Sequence, residues 1–400
     1  MNFKSVAVAA MALMVIAPNA FARKKDKKQE TPEGYKFEII YQNPITPVKD
    51  QNRSGTCWAF SGISFFESEI LKAGYQGELD LAEMFIVNKA YGDKGEKFVR
   101  LHGNLNFGPG SSFGDVLAVL KAYGIVPESE LRGLNYGFDK HVHGEMDNIL
   151  SAYVNAVIKN GNGKLSPVWK KGYQGVLDAY LGQVPETFQV NGIEYTPKTY
   201  MESLGIDLNN YVDLTSFTHH PFYEKMVIEV PDNWRWEEAY NVPIDDLIAI
   251  IDNALANGYT LAWASDVSEI GFNRKGLGIV PDEDATVNSG SDQARWVGLT
   301  PQQRKDKFFE APIVEREITQ EMRQEGYDNY QTTDDHGMHI FGMAKDQNGT
   351  KYYMVKNSWG LTGDYEGIWY VSEAFVRYKT MDIMINKNAI PAEIRGKMNL

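Results

Sequence analysis

Residues 335–360 read DHGMHIFGMAKDQNGTKYYMVKNSWG. Two apolar, aromatic-rich runs flank the turn residues Asp346-Gln347-Asn348-Gly349, a pattern that predicts an antiparallel hairpin. His336 opens the first strand and Asn357 closes the second. Their midpoint falls inside the turn, so the hairpin is expected to bring them side by side. A side-chain amide there would orient the imidazole, and Trp359 would cover that hydrogen bond from water. His339, at an odd offset along the strand, is expected on the opposite face.

A held imidazole calls for a nucleophile. The chain has a single cysteine, Cys57, in the stretch QNRSGTCWAF over residues 51–60. Ala59, Ile63, Phe66 and Ile70 recur at helical spacing and Gly74 follows, so a helix is predicted over 57–73 with Cys57 at its start. The unpaired N–H groups and dipole at a helix N-terminus favour thiolate over thiol, and the thiolate is the nucleophilic form. Gln51 lies on the loop leading in and could offer an amide donor, beside the Cys57 N–H, to a developing oxyanion. Alone, Cys57 reads equally well as a small buried hydrophobe, and Gln51 and Asn357 as ordinary loop amides. A zinc site from Asp335, His336 and His339 is the competing reading, but the chain has neither HExxH nor a cysteine cluster to complete it.

Elsewhere, a strand and a Pro-punctuated loop are predicted over 36–50, helices over 114–123 and after Pro243, and a strand in YTLAWASDV at 259–267. Residues 283–330 read as a polar surface excursion with one helix. The 400 residues are 43% hydrophobic and 12% aromatic, which supplies a full core and argues against disorder. Forty basic against 53 acidic residues, a net charge of −13, argue against a nucleic-acid partner. One cysteine excludes an intrachain disulfide framework. At the N-terminus, Lys4, the apolar stretch 5–17 and Ala20-Phe21-Ala22 form a signal-peptide pattern. A short membrane anchor is the alternative, although the stretch is too short to span a bilayer comfortably. Residues 1–22 are therefore expected to be a removed signal peptide and 23–35 a basic disordered tail. The mature protein is expected to be exported, periplasmic or secreted, without stable membrane insertion.

Taken together, Gln51-x5-Cys57-Trp58-Ala59-Phe60, Asp335-His336-Gly337 and Asn357-Ser358-Trp359-Gly360 resemble the papain-type cysteine peptidases, including the order Gln, Cys, His, Asn. The resemblance implies Gln51 as oxyanion donor, Cys57 as nucleophile, His336 as base and Asn357 as orienter, with no metal or cofactor required. Gly110 and Ser111 fall where the family binds the substrate backbone, and Trp359 joins them as an expected substrate-side residue. Ser54 replaces the family's disulfide cysteine, and 279 positions separate Cys57 from His336. A plain papain domain has roughly 130–150. Both features resemble the bleomycin hydrolase and aminopeptidase C branch.

The expected fold is α+β, a papain-like two-domain architecture with a large helical insertion. A nucleophile-bearing helical half would span 36–126, the insertion 127–240 and a β-rich half with His and Asn 241–400. The branch further implies a homohexamer acting on peptide or protein substrates as an aminopeptidase. In that branch the chain's own terminal carboxylate holds the substrate amine. Here the C-terminal arm after Ile390-Pro391-Ala392 looks short, which leaves endopeptidase or dipeptidyl cleavage as the alternative. A catalytically silent peptide-binding protein on the same scaffold is the remote one.

Overall fold

A computed structural model describes residues 34–161, 163–282, 300, 303 and 306–400. The expected signal peptide and most of the basic tail lie outside the described residues, as do 283–299 of the expected excursion. The tail boundary moves slightly: Tyr35 stacks on Phe37 and its hydroxyl donates to the Phe308 carbonyl.

The first part of the chain forms β1 (Phe37–Gln42), α1 (Cys57–Lys72), α2 (Glu83–Arg100) and α3 (Phe113–Tyr123). Next come α4 (Gly144–Ile158), α5 (Val168–Leu181), the small hairpin β2 (Phe188–Val190) and β3 (Ile193–Tyr195), and α6 (Pro197–Ser203). Three strands follow, β4 (Tyr211–Thr215), β5 (Lys225–Val227) and β6 (Glu238–Asn241). The last part carries α7 (Ile244–Ala256), β7 (Leu261–Ser265), β8 (Leu277–Gly278) and α8 (Gln320–Asp328). It ends with β9 (His336–Asp346), β10 (Lys351–Lys356), β11 (Ile368–Ser372), α9 (Glu373–Lys379), β12 (Thr380–Asn386) and α10 (Ala392–Lys397).

One mixed sheet runs β5-β6-β4-β12-β7-β9-β10-β11-β8, with β1 paired to the far half of β9. α1 lies against β9 and β7 and is buried on every side from Trp58 to Ile70. A helix apolar nearly all round belongs in the middle of a protein. Its two buried carboxylates both accept hydrogen bonds, Glu69 through Oε2 alone, its Oε1 having no partner among the described residues. Glu67 accepts from Thr46 Oγ1 and the Leu81 N–H, and Glu69 from Tyr211 and Asn386. One apolar core gathers α1 to α6, and a second gathers α7, α9, α10 and residues of β7, β9, β10, β11 and β12. α7 shows why: Ile244, Leu247, Ile248, Ile251 and Leu255 share its buried face, and Gly258 ends the run at φ +77°. A third core, around Leu277 of β8, takes Phe341, Tyr352 and Tyr370 from β9 to β11.

The stretch 127–240 departs from a helical insertion. Its first part is helical, but β4, β5 and β6 extend the main sheet beyond β12. The period-2 signal is weak there because these strands are short and half-buried on one edge. α2, which carries no motif, is one of the longest helices and packs against α3, α4 and α5.

Candidate active site

Cys57 is the first residue of α1, reached through a tight loop with Asn52 at φ +47° and Gly55 at φ +68°. Ser54, where a disulfide cysteine was replaced, is buried and hydrogen-bonds Thr56 Oγ1 at 2.5 Å. Thr56 offers no side-chain cap, so the first N–H groups of α1 keep no side-chain partner there. Across the cleft, β9 presses on this helix end through Gly337. A Cβ at 337 would stand 2.8 Å from Ser61 Oγ and 3.3 Å from Trp58 Cα, so only glycine fits without displacement. Cys57, His336 and Gly337 line the same pocket, and a Cβ at 337 would stand 3.4 Å from the Cys57 carbonyl carbon.

Asn357 Oδ1 lies 2.8 Å from His336 Nε2 and 2.7 Å from the Ser358 backbone nitrogen. The backbone N–H can only donate, so that atom is the amide oxygen, and His336 must carry its proton on Nε2. Nδ1 is thereby left as the basic nitrogen. Asn357 is buried and its Nδ2 has no partner among the described residues, a cost accepted where the amide's other end is held for a purpose. The Trp359 ring stacks on the imidazole with centroids 4.7 Å apart. Trp359 is not among the residues lining the pocket; its place is over His336, as a cover for the hydrogen bond to Asn357.

The hairpin register differs from the symmetric pairing about 346.5. Lys345 faces Lys351 and Gly342 faces Met354, and a bulge at Met354/Val355 then shifts the pairing by one, to His339 opposite Lys356. The turn extends to Thr350, whose carbonyl accepts from Asp346 N–H. His336 pairs with Ser265 on β7 instead, and Asn357 reaches it by its side chain from beyond the end of β10. His339 takes the α1 side of β9, with Nδ1 2.8 Å from Ser64 Oγ.

Gln51 is buried beside this group. Its N–H donates to the Ser358 carbonyl and its Oε1 accepts from Ser358 Oγ at 2.6 Å, which leaves Nε2 as the end able to donate. Gly110 and Ser111 line the pocket opposite His336. Their loop is fixed from behind: Lys94 Nζ donates to the Gly108 and Gly110 carbonyls, and Trp58 and Tyr91 both donate to Pro109 O. Ser111 Oγ donates to Asp115 and accepts from Trp234 Nε1 at 2.6 Å, so its hydroxyl is engaged in holding the wall.

Burial pushes the Cys57 thiol up to about 11, with Asp334 and Asp232 adding to it and the N–H groups of Gly337 and Trp58 opposing. Burial likewise pulls His336 down to about 4 against the Asn357 hydrogen bond. Taken singly, each group is neutral near pH 7. Charge can enter this pair only as a joint proton transfer, because thiolate and imidazolium each supply the other's counter-charge.

Sequence reading missed the carboxylates around this pair. Asp213, Asp232, Glu237 and Asp382 line the pocket with Asp334 and Asp335. They come from distant segments without a spacing signal; only Asp334 and Asp335 adjoin a motif residue. Among the described residues, the one trio of His, Cys, Asp and Glu side chains close enough for a metal ion is His219, His220 and Glu229, well away from the motif residues in sequence.

Known proteins resemble this chain in sequence and fold. The family model described as papain family cysteine protease matches residues 35–95, the segment that carries Gln51 and Cys57. Aminopeptidase C of Lactococcus lactis subsp. lactis (strain IL1403) is 22% identical over 392 residues, covering 87% of this chain and 82% of the relative. Aminopeptidase C of Listeria monocytogenes serovar 1/2a is 20% identical over 395 residues, covering 88% and 82%. The crystal structure of pepw from Lactobacillus rhamnosis HN001 superposes with a TM-score of 0.68 at 18% identity, covering 90% of this chain and 84% of that one. The chain is thus a cysteine peptidase of papain-like fold. Within that class it is similar to aminopeptidase C over most of its length.

Proposed function

We propose that the chain is an exported cysteine aminopeptidase in which Cys57 attacks, His336 moves the proton, Asn357 orients the imidazole and Gln51 donates to the oxyanion. The observation that carries this reading is the Asn357–His336 hydrogen bond, which fixes the imidazole tautomer at the wall of the pocket that Cys57 also lines. In the forward step the Cys57 proton passes to His336 Nδ1 and sulfur bonds to the scissile carbonyl carbon. The oxygen takes the negative charge beside the Cys57 N–H and Gln51 Nε2. As the tetrahedral species collapses, the C–N bond breaks and the imidazolium gives its proton to the leaving amine. His336 then takes a proton from water, hydroxide adds to the acyl carbon, and the C–S bond breaks to return the thiol. Cys57→Ala should abolish peptide hydrolysis while leaving the melting temperature nearly unchanged; retained hydrolysis would remove the mechanism.

Endopeptidase or dipeptidyl cleavage is the second reading, and one observation favours it. Residues 392–400 pack on α7, where Lys397 reaches Asp246 and Leu400 touches the second core, and none of them lines the pocket. A fluorogenic peptide tested with free and N-acetylated termini separates the two, since an aminopeptidase rejects the blocked amine. For the export reading, the mature protein recovered from the periplasm or medium should begin at Arg23; an unprocessed cytosolic chain would refute it. Family resemblance also supports a homohexamer, which sedimentation would show.

A further inference from the structure

The pocket beside Cys57 is acidic in a way the hydrolytic steps do not need. Asp382, on β12, is only 7% exposed, and that exposure opens into the pocket it lines. Its carboxylate has no hydrogen-bond or ion-pair partner among the described residues. Asp213 Oδ1, on the neighbouring strand β4, is buried and equally without a partner. Asp334 enters from the residue pair preceding β9. The lining contains no lysine or arginine. Phe113, Ile228, Ala264 and Met381 line the same pocket and give it apolar wall as well as charge.

Carboxylates taken out of water without a counter-ion are costly to the fold, and a protein tolerates them where a ligand supplies the opposite charge. Burial raises Asp382 to about 7, and burial together with Asp382 raises Asp213 and Asp334 well above the usual carboxylate range. A cation placed among these carboxylates would favour their charged forms. The apolar wall suits a methylene stem ending in a charge.

We propose that this pocket is a substrate subsite for the cationic end of a peptide, an ammonium or guanidinium held by Asp382, Asp213 and Asp334 while the adjoining bond meets Cys57. This rests on the reading of Cys57 as the nucleophile. The cation has two sources, the free N-terminus or a Lys/Arg side chain, and both present the same chemistry to the carboxylates.

Binding to the full-length Cys57→Ala protein reads the subsite without turnover. Calorimetry would compare one short peptide in four forms: free or acetylated N-terminus, each with arginine or with citrulline, its uncharged near-isostere. The expected result is at least tenfold tighter binding for the charged partner of one pair. Loss on acetylation assigns the N-terminus, and loss on citrulline substitution assigns the side chain. Asp382→Asn should bring that ratio to within about twofold of unity, and Asp382→Glu should restore it. Equal affinity for all four peptides overturns the proposal, as does an Asp382→Asn protein that keeps the full ratio; the four-peptide comparison stands even if that variant fails to fold. A failure of the catalytic reading looks different, since it appears as hydrolysis surviving Cys57→Ala.

Discussion

Sulfur and imidazole in this cleft are each neutral when considered alone, so the reactivity of Cys57 depends on its neighbour rather than on its own ionisation. The thiol stands at about 11 because burial and nearby carboxylates oppose the thiolate, and only a proton acceptor at hand can offset that. His336→Asn removes the acceptor. Because the thiol pKa lies above the ordinary value, less thiolate is present at neutral pH. Alkylation of Cys57 by iodoacetamide at pH 7 should fall more than tenfold, and its rate should climb only toward alkaline pH. Alkylation with an unchanged rate and pH profile would show that His336 does not activate the sulfur. Cys57, His336, Asn357 and Gln51 were legible because each sits in a contiguous motif with chemistry of its own. Asp213 and Asp382 were not, since a lone aspartate on a strand carries no sign of what it will face.

Elements deliver these residues through contacts of backbone on backbone. β9 reaches the start of α1 only because residue 337 is glycine, and its neighbours there, Trp58 Cα and Ser61 Oγ, belong to the helix itself. Gly337→Val should lower stability by about 1–3 kcal/mol through overpacking. It should also reduce kcat at least tenfold by moving His336 away from Cys57. Thermal melting and steady-state kinetics check both; a variant with native kcat would mean the close approach has no part in catalysis. The hairpin shows how far sequence reading carries at this scale. Its two strands and turn follow from alternation and DQNG, but the symmetric register about 346.5 expected from them does not hold. A bulge at Met354/Val355 and a longer turn move every pair, and neither leaves a mark in the apolar pattern. Asn357 reaches His336 all the same, because the side chain and not the strand pairing closes the gap. Likewise β4, β5 and β6 were hidden inside a presumed helical insertion, being too short for a period to register.

Across the whole molecule, ionisable groups are buried in both directions. Asp147, Glu315 and Asp382 are each raised by burial to about 7, whereas burial lowers His141 to about 4 and His143 to about 3. A carboxyl raised in the fold stabilises fully below its unfolded value and loses that stability as pH rises through about 7. A histidine lowered in the fold acts oppositely, losing stability as pH falls below its unfolded value near 6.5. The carboxyls outnumber the histidines, and the region near the pocket adds Asp213 and Asp334, raised in the same sense. The melting temperature should therefore be higher at pH 5.5 than at pH 8, and a melting temperature that rises across that window would contradict the assignment. The α+β class and the pocket's Cys57 and His336 can be read from the motifs; the acidic character of the pocket follows only from where β4, β12 and the segment before β9 meet.

The most direct test of the central claim is the mass of the protein during turnover. A peptide ester mixed with the chain and quenched in acid should leave Cys57 heavier by the acyl group, with no such adduct on Cys57→Ala. Continued hydrolysis without an adduct on Cys57, or by the Cys57→Ala protein, would contradict it.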